Sequence, residues 1–235
     1  MCILIFAPGC ARRLLDLPAG AGAPLPDFAA VHGTISERCA GVRTLTAELG
    51  LSGRAGGDRM RGRALAGFQV PDAMRLEGLA PFGAPAFILV ARGRDATLLL
   101  PRDARVLRRA SAGEILGALT GVSLAPADLQ AILTGCIVPE PMPVRGAQHG
   151  DDWRSIALQG GATIFLRRAG TAWQLRAAHR DGWRIEYSAW QGGFPRVVRF
   201  VSTPPSPPAP ARLTERPSVD LTVQISQIEA NAAID

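Results

Sequence analysis

The stretch 74–103 constrains the fold of this 235-residue chain more than any other. It contains three short apolar runs, 74–79, 87–91 and 96–100, which are separated by a Pro/Gly-rich segment and by Arg-Gly-Arg-Asp at 92–95. Apolar runs of this length between turn-forming residues are typical of antiparallel strands joined by tight connections. The stretch therefore predicts an apolar sheet that protein, lipid or both must cover.

Alternation of apolar and polar residues predicts further strands on both sides of this stretch. They are expected at 44–51, 60–70, 104–107, 153–159, 173–178, 183–188, 196–202 and 218–228. Two proline-rich segments lack the pattern, so 136–147 is predicted to be a crossing loop and 203–212 a loop or an edge. The count is about ten or eleven strands.

Three segments have helical spacing instead. Residues 28–42 carry an apolar stripe at intervals of three or four, and Thr34 with Glu37 suggests a capping box at or inside the start of this helix. A second helix is predicted around Ile115–Val122, and a third at 126–133, beginning at Pro126 and ending before Gly135. The predicted fold is mainly β, of the α+β class: a single curved antiparallel sheet that forms a half-open barrel, plugged by about three helices.

The composition argues against several functions. All 26 basic residues are arginines, which give a net charge of +6, but they are scattered along predicted strands, so we expect no nucleic-acid partner. The histidines, His32, His149 and His179, lie in separate segments, and the four cysteines have no metal-binding spacing. With no nucleophile elbow or phosphate loop, we expect no catalytic residues, no metal, no cofactor and no enzyme.

Two features of the cysteines leave alternatives open. Cys39 and Cys136 can be paired in a disulfide, but free buried thiols are the commoner state of isolated cysteines and are favoured here. The N-terminal MCILIFAPGC resembles the tail of a bacterial lipoprotein signal, which implies lipidation of Cys10; Ala7 and Pro8 depart from that pattern, and an ordinary N-terminus is the alternative.

The chain is predicted to contain one folded domain. Residues 17–26 form a Pro/Gly/Ala linker without periodicity. Residues 1–27 are therefore interpreted as a signal remnant with a flexible linker, and 28–235 as the β domain. No run in the sequence is suited to be a transmembrane helix.

Two adjoining segments carry a family resemblance. They are PFGAPAFILVARGRDATLLLPRD at 81–103 and EILGALTGVSLAPADLQAILTG at 114–135, with Leu-Thr-Gly at 119–121 and Leu-Thr-Gly at 133–135. With the order of helix, six strands, two short helices and more strands, they resemble the LolA/LolB lipoprotein-carrier superfamily, and LolB in particular. The likeness covers about 28–235 and is strongest from 74 to 135.

The resemblance implies a function at the bacterial outer membrane. In that family the sheet and its helices enclose an apolar cavity for the acyl chains of lipoproteins. It implies a monomer anchored by lipid to the periplasmic face of the outer membrane, which receives cargo from a LolA-like periplasmic carrier. Phe82 matches the exposed apolar residue of a protruding turn that places cargo in the membrane.

Candidate site residues follow from the apolar faces of the predicted elements. The cavity is expected to be lined by Leu76, Phe87, Leu89, Leu98, Leu100, Ile164, Leu166 and Trp183. The helices over it are expected to contribute Ile115, Leu119, Leu129 and Leu133. Three alternatives stay open: these side chains form an ordinary packed core, the protein carries another lipid or glycolipid, or it is a structural outer-membrane lipoprotein.

Overall fold

The computed structural model describes residues 13–138, 142–202 and 219–232, whose strands form one antiparallel sheet. The strands are β1 (Ala23–Pro24), β2 (Thr44–Ala55), β3 (Asp58–Gln69), β4 (Ala73–Leu79), β5 (Phe87–Arg92), β6 (Asp95–Leu100), β7 (Arg105–Ala110), β8 (Pro143–His149), β9 (Trp153–Leu158), β10 (Thr163–Ala169), β11 (Ala172–Arg180), β12 (Trp183–Ser188), β13 (Val197–Ser202) and β14 (Val219–Ala230). The predicted fold class is confirmed.

The strand order is β1-β8-β9-β10-β11-β12-β13-β14-β2-β3-β4-β5-β6-β7. Most strands pair with their neighbours in sequence. Two pairings join distant segments: β1 pairs with β8, and β14 pairs with β2 over most of its length. The sheet does not close, since β1 and β7 remain as its two edges. Buried apolar side chains alternate along the strands and define a concave, apolar face.

Among the described residues, three α-helices lie over the concave face. The helix α1 (Phe28–Ala40) contacts β8, α2 (Ala112–Thr120) contacts β5 and β6, and α3 (Pro126–Thr134) contacts β3 and β4. Both short helices end at glycines with positive φ, Gly121 at 75° and Gly135 at 78°, a conformation that glycine adopts without steric cost.

The predicted capping box at Thr34 and Glu37 is wrong. Thr34 lies inside α1, and its hydroxyl donates to the carbonyl of Val31 at 2.8 Å. The capping box is at the start of α2, where the Ser111 hydroxyl accepts from the Glu114 amide and Glu114 accepts from the Ser111 amide. Hydrogen bonds from the backbone and side chain of Ser111 lower the pKa of Glu114. A capping motif found by spacing alone does not establish where a helix begins.

The sheet has more strands than the ten or eleven predicted. β8 lies in the segment interpreted as a loop, and β1 lies in the segment interpreted as a linker. β8 tolerates its proline because Pro143 is its first residue, next to a shift in register before Arg145. The strands predicted at 44–51 and 60–70 are also longer toward each other, because β2 extends to Ala55 and β3 begins at Asp58, around a two-residue glycine turn.

The N-terminal segment is not free of the domain. The Leu15 amide donates to Glu186 at 2.9 Å, and Arg184 donates to the Leu15 carbonyl. Further along, Ala23 and Pro24 pair with β8, and Leu25 is buried with its amide bonded to Gly146 at 3.2 Å. Residues 13–27 thus cross the outer face from β12 to the edge at β8, around which the chain enters α1.

A disulfide joins Cys39 of α1 to Cys136 after α3, with their Cα atoms 5.7 Å apart. The preference for free thiols is therefore wrong. The two cysteines are 97 residues apart, so their proximity depends on how the helices pack and has no signature in the local sequence. The bond ties the first helix to the connection that leads into β8.

Candidate functional site

An apolar cavity of about 320 Å³ lies between the concave face and the helices α2 and α3. This volume is at the lower end of the range for ligand sites, about 300–1,000 Å³. Its walls come from the strands on both sides of the β14–β2 junction and from the two helices. The lining residues are Leu49, Leu51, Met60, Arg61, Gly62, Arg63, Ala64, Leu76, Phe87, Leu116, Leu119, Thr120, Val122, Leu124, Leu129, Leu133, Phe200, Leu221 and Val223.

Small residues on β3 and β4 create the hollow. A Cβ atom placed on Gly62 would meet no heavy atom within 4 Å, so this position faces open space. At Gly78 the ring of Phe87 occupies the place of a side chain, since a Cβ atom there would lie 2.3 Å from it. Gly62 and Ala64 therefore form a low floor, and Phe87 is drawn down onto Gly78 at its side.

The helices provide an apolar roof. Leu116, Leu119, Leu129 and Leu133 face the cavity, and Thr120 is the uncharged polar side chain in the lining. The Thr120 hydroxyl donates to the Leu116 carbonyl at 2.8 Å, so it is already satisfied within α2. The two arginines of the lining, Arg61 and Arg63, belong to β3; their exposed side chains alternate with Gly62 and face the other side of the sheet. Such a cavity offers contacts to hydrocarbon and few directional bonds to a polar ligand.

The roof is fixed at two places. The Arg180 side chain donates to Asp128 near the start of α3 at 2.6 Å and to the Ile137 carbonyl at 2.7 Å. The capping box of Ser111 and Glu114 fixes the start of α2. Between these points Leu119 is 39% exposed, so the end of α2 lies at the opening of the cavity.

The structure brings together five of the twelve predicted cavity and helix residues in the lining. They are Leu76, Phe87, Leu119, Leu129 and Leu133. The other seven lie outside it: Leu89, Leu98, Ile115, Ile164 and Leu166 are buried in the packed core, and Leu100 and Trp183 are partly buried against it. All seven are apolar side chains in or against the core. The spacing of apolar residues along a strand or helix does not show whether such a side chain is packed or lines a cavity.

Several lining residues were missed by sequence reasoning. Leu49, Leu51, Leu221 and Val223 lie on predicted strands and on their apolar faces. The alternation in 44–51 and 218–228 identified those faces, but the pairing of Val223 with Leu51 joins opposite ends of the chain. No local pattern predicts that contact.

Phe82 lies at the end of the sheet where the cavity opens. It is 87% exposed, in the connection between β4 and β5. Arg102 of the turn after β6 donates to the Phe82 carbonyl at 2.6 Å, which holds the loop against the next connection. The register Leu79–Arg63 places the loop beside the first residues of β3, which contribute Met60 and Gly62 to the lining.

A second cavity, of about 520 Å³, lies on the outer face beneath the N-terminal segment. Gly20, Gly22 and Pro24 cover it, and Phe165 and the hydrogen-bonded pair of His149 and Ser155, 2.9 Å apart, contribute to its walls. It is separated from the apolar cavity by the sheet, because Ser155 and Phe165 face away from the concave side.

Metal sites and membrane-spanning helices are absent from the described part of the chain. Residues 13–138, 142–202 and 219–232 contain no cluster of three or more His, Cys, Asp or Glu side chains that could hold a metal ion. Within the same ranges, the helices are too short or too polar to cross a membrane. Cys10, the predicted lipidation site, lies outside the described residues.

No protein-family model matches the sequence, and a search of curated proteins finds no significant match. Solved structures share its fold. A DUF1329 family protein from Desulfovibrio piger aligns with a TM-score of 0.55 at 11% identity, over 91% of this chain and 95% of that one. A LolA superfamily protein from Nitrosomonas europaea aligns with a TM-score of 0.50 at 10% identity, over 86% and 94%.

A candidate outer-membrane lipoprotein-sorting domain from Vibrio parahaemolyticus also aligns, with a TM-score of 0.50 at 9% identity, over 88% of this chain and 93% of that one. Identities this low establish a shared fold and nothing finer. The chain has the open-barrel fold of LolA superfamily structures, built here from fourteen described strands and three described helices.

Proposed function

We propose that the protein binds the acyl chains of lipoproteins in the apolar cavity and inserts them into the outer membrane. The observation that carries the proposal is the unfilled, apolar space between the sheet and the helices α2 and α3. Each methylene group transferred from water into such a space gains about 0.8 kcal/mol. Apolar walls with satisfied polar groups suit a ligand that is selected by its hydrocarbon rather than by a charged group.

The size of the cavity favours a second candidate function. A volume of about 320 Å³ does not hold the three chains of a mature lipoprotein without movement of the roof. A carrier of a lipid or glycolipid that places a single chain in the cavity needs less movement of the roof. Native mass spectrometry of the purified protein distinguishes the two, because it identifies the bound molecule by its mass.

A substitution at Gly62 tests occupation of the cavity. Gly62→Leu projects a side chain into the open space above the floor without strain, because nothing lies within 4 Å of its Cβ position. Displacing about two methylene groups of a bound chain weakens binding roughly tenfold. Binding is measured with a fluorescent fatty acid, in titrations of the wild type and the variant.

Gly67→Leu is the matched control. It lies on the same strand, also has no heavy atom within 4 Å of its Cβ position, and pairs with Thr46 and Arg75 on the outer face. We expect its affinity for the fatty acid to equal that of the wild type. Equal affinities of Gly62→Leu and Gly67→Leu for the fatty acid would contradict the proposal.

We further propose that Phe82 enters the membrane when cargo is released. An aromatic ring that is 87% exposed beside the cavity opening is suited to the boundary between lipid headgroups and tails. Phe82→Glu is expected to leave folding and fatty-acid binding intact but to slow delivery of labelled lipoprotein to vesicles. Val90→Glu changes another exposed apolar residue, on the outer face of β5, and delivery as slow as that of Phe82→Glu would argue against a special role for the loop.

We also propose that the protein is anchored to the periplasmic face of the outer membrane. In the same proposal it acts as a monomer and receives its cargo from a LolA-like carrier. These parts of the proposal rest on the N-terminal pattern ending at Cys10 and on the shared fold. Mass spectrometry of the mature N-terminus tests the anchor, because a diacylglycerol on Cys10 adds a defined mass. An unmodified Cys10 in protein purified from its native membrane would remove this part of the proposal.

A further inference from the structure

The end of the sheet that carries the cavity opening is strongly basic. Three connecting segments meet there, 54–61, 80–86 and 101–105, and we call them the opening segments. Together they contain five arginines, Arg54, Arg59, Arg61, Arg102 and Arg105, and two carboxylates, Asp58 and Asp103. All five arginines are exposed.

Two of these arginines lie in a position that destabilises the sheet. Arg54 of β2 lies directly opposite Arg59 of β3 in the register, and like charges in that position repel. Four residue pairs further along the same strands, Arg63 has Glu48 as its ion-pair partner. Arg59 and Arg105, in contrast, pair with no carboxylate of the described residues. Along β3, Arg63 deeper in the sheet therefore has a carboxylate partner, and Arg59 at the opening has none among the described residues.

The basic residues also surround the exposed apolar loop. Arg102 is bonded through its guanidinium to the Phe82 carbonyl, and Arg105 begins the strand that follows the same turn. On the other side, the first residues of β3 extend past the end of β4, since Leu79 pairs with Arg63. An exposed aromatic ring thus projects from between two groups of arginines, beside an apolar cavity.

We propose that the opening segments dock on a lipid surface that carries anionic headgroups. The arginines contact the phosphates, and Phe82 enters the layer below them, which places the cavity opening at the membrane. Arginine binds phosphate oxygens through a planar set of donors, and the aromatic loop favours a lipid surface over an acidic protein. This inference rests on the proposed function, in which cargo moves from the cavity into the membrane. The docking itself is measured without cargo.

The test compares two double variants with the same change in charge. Arg59→Gln/Arg105→Gln removes charge at the opening, and neither residue lines the cavity. Arg92→Gln/Arg94→Gln removes charge from the β5–β6 connection, which lies at the opposite end of the sheet. Partition of each protein is measured by co-sedimentation with vesicles of phosphatidylcholine alone and of phosphatidylcholine mixed with phosphatidylglycerol.

We expect wild-type protein to prefer the anionic vesicles and to lose this preference at high salt. Each arginine near an anionic surface contributes about fivefold to partition, so Arg59→Gln/Arg105→Gln should bind about 30-fold more weakly. The control variant should bind about as strongly as the wild type. An equal loss in both variants would overturn the inference, since net charge would then explain binding, and so would a wild type without preference for anionic vesicles.

Fatty-acid titrations separate this inference from the proposed function. If Arg59→Gln/Arg105→Gln binds the fluorescent fatty acid like the wild type but loses anionic vesicles, both stand. If the wild type binds the fatty acid but shows no preference for anionic vesicles, docking fails and the proposed function does not. If Gly62→Leu has no effect on the fatty acid while the arginine variants behave as expected, the proposed cavity function fails alone.

Discussion

The two halves of the sheet are covered in different ways. Under β9–β12 the concave face is packed solid, with Ile156 and Leu166 fully buried and Ile185 and Tyr187 nearly so. Under β2–β5 the same face leaves a space of about 320 Å³, and Leu49 and Phe87 are only partly buried. Apolar and polar residues alternate along the strands of both halves, so this alternation does not cause the difference in packing.

Residue size and the covering helices account for the difference. The floor of the hollow contains Gly62 and Ala64, whereas the equivalent face of the packed half carries Ile, Leu and Tyr side chains. Beside the packed half, α1 lies against β8, and its residues Phe28 and Val31 pack against the core. A continuous sheet can therefore combine a rigid half that holds the fold with a half that leaves space for a ligand.

Leu166→Ala should have the largest effect on stability. Leu166 is fully buried, so its truncation removes apolar contacts and leaves a cavity that costs about 2–5 kcal/mol of the free energy of unfolding. Urea denaturation measures the loss. A loss below about 1 kcal/mol would mean that the packed half relaxes as easily as the hollow half, and the contrast between them would disappear.

Gly78→Ala should have the next largest effect. Its new Cβ atom would lie 2.3 Å from the Phe87 ring, so the ring must move, at a cost of about 1–3 kcal/mol. Gly67→Ala meets no atom within 4 Å and serves as the control on the outer face. Thermal unfolding of both variants compares them, and equal midpoints would show that Phe87 is not held down on Gly78.

Leu49→Ala should cost about 1 kcal/mol or less. Leu49 faces the cavity and has fewer neighbouring atoms to lose than Leu166, so the same change removes less attraction. Urea denaturation gives the loss in free energy of unfolding for Leu49→Ala and for Leu166→Ala. The ratio of these two losses measures how differently the two halves are packed. If Leu49→Ala is as destabilising as Leu166→Ala, the space beside it is filled in solution.

Tyr187→Phe should have the smallest effect and the opposite sign. Burial raises the pKa of the Tyr187 hydroxyl well above its ordinary value, and this oxygen has no hydrogen-bond partner in the described part of the chain. Removing an unpaired buried hydroxyl leaves stability unchanged or raises it by up to about 1 kcal/mol. A loss in urea denaturation would point to a bond to the hydroxyl that supports the packed half.

Local patterns account for much of the fold. The alternation in 44–51 and 183–188 predicted strands that are present, and Pro126 and Gly135 marked a helix at the correct place. The strand β8 was missed because Pro143, Gly146 and Ala147 interrupt the alternation, and its pairing with β1 depends on the N-terminal segment folding back. The disulfide was missed for the same reason, since its partners meet only after α1 has packed.

The candidate site was predictable to a lesser degree. Apolar faces follow from alternation, so Leu76 and Phe87 were placed on the correct side of the sheet. Leu89 and Leu166 have the same pattern and are packed. Whether an apolar position contacts a helix or an empty space depends on side chains far away in the sequence.

The sequence by itself determined that this chain forms a curled antiparallel sheet with an apolar inner face and helices to cover it, because the period of apolar residues dictates which side chains leave water together. Only the tertiary structure decided where the cover is tight and where it is open. That outcome depends on β14 pairing with β2 and on Gly62 lying beneath α2 and α3, and pairings between distant segments leave no trace in local periodicity.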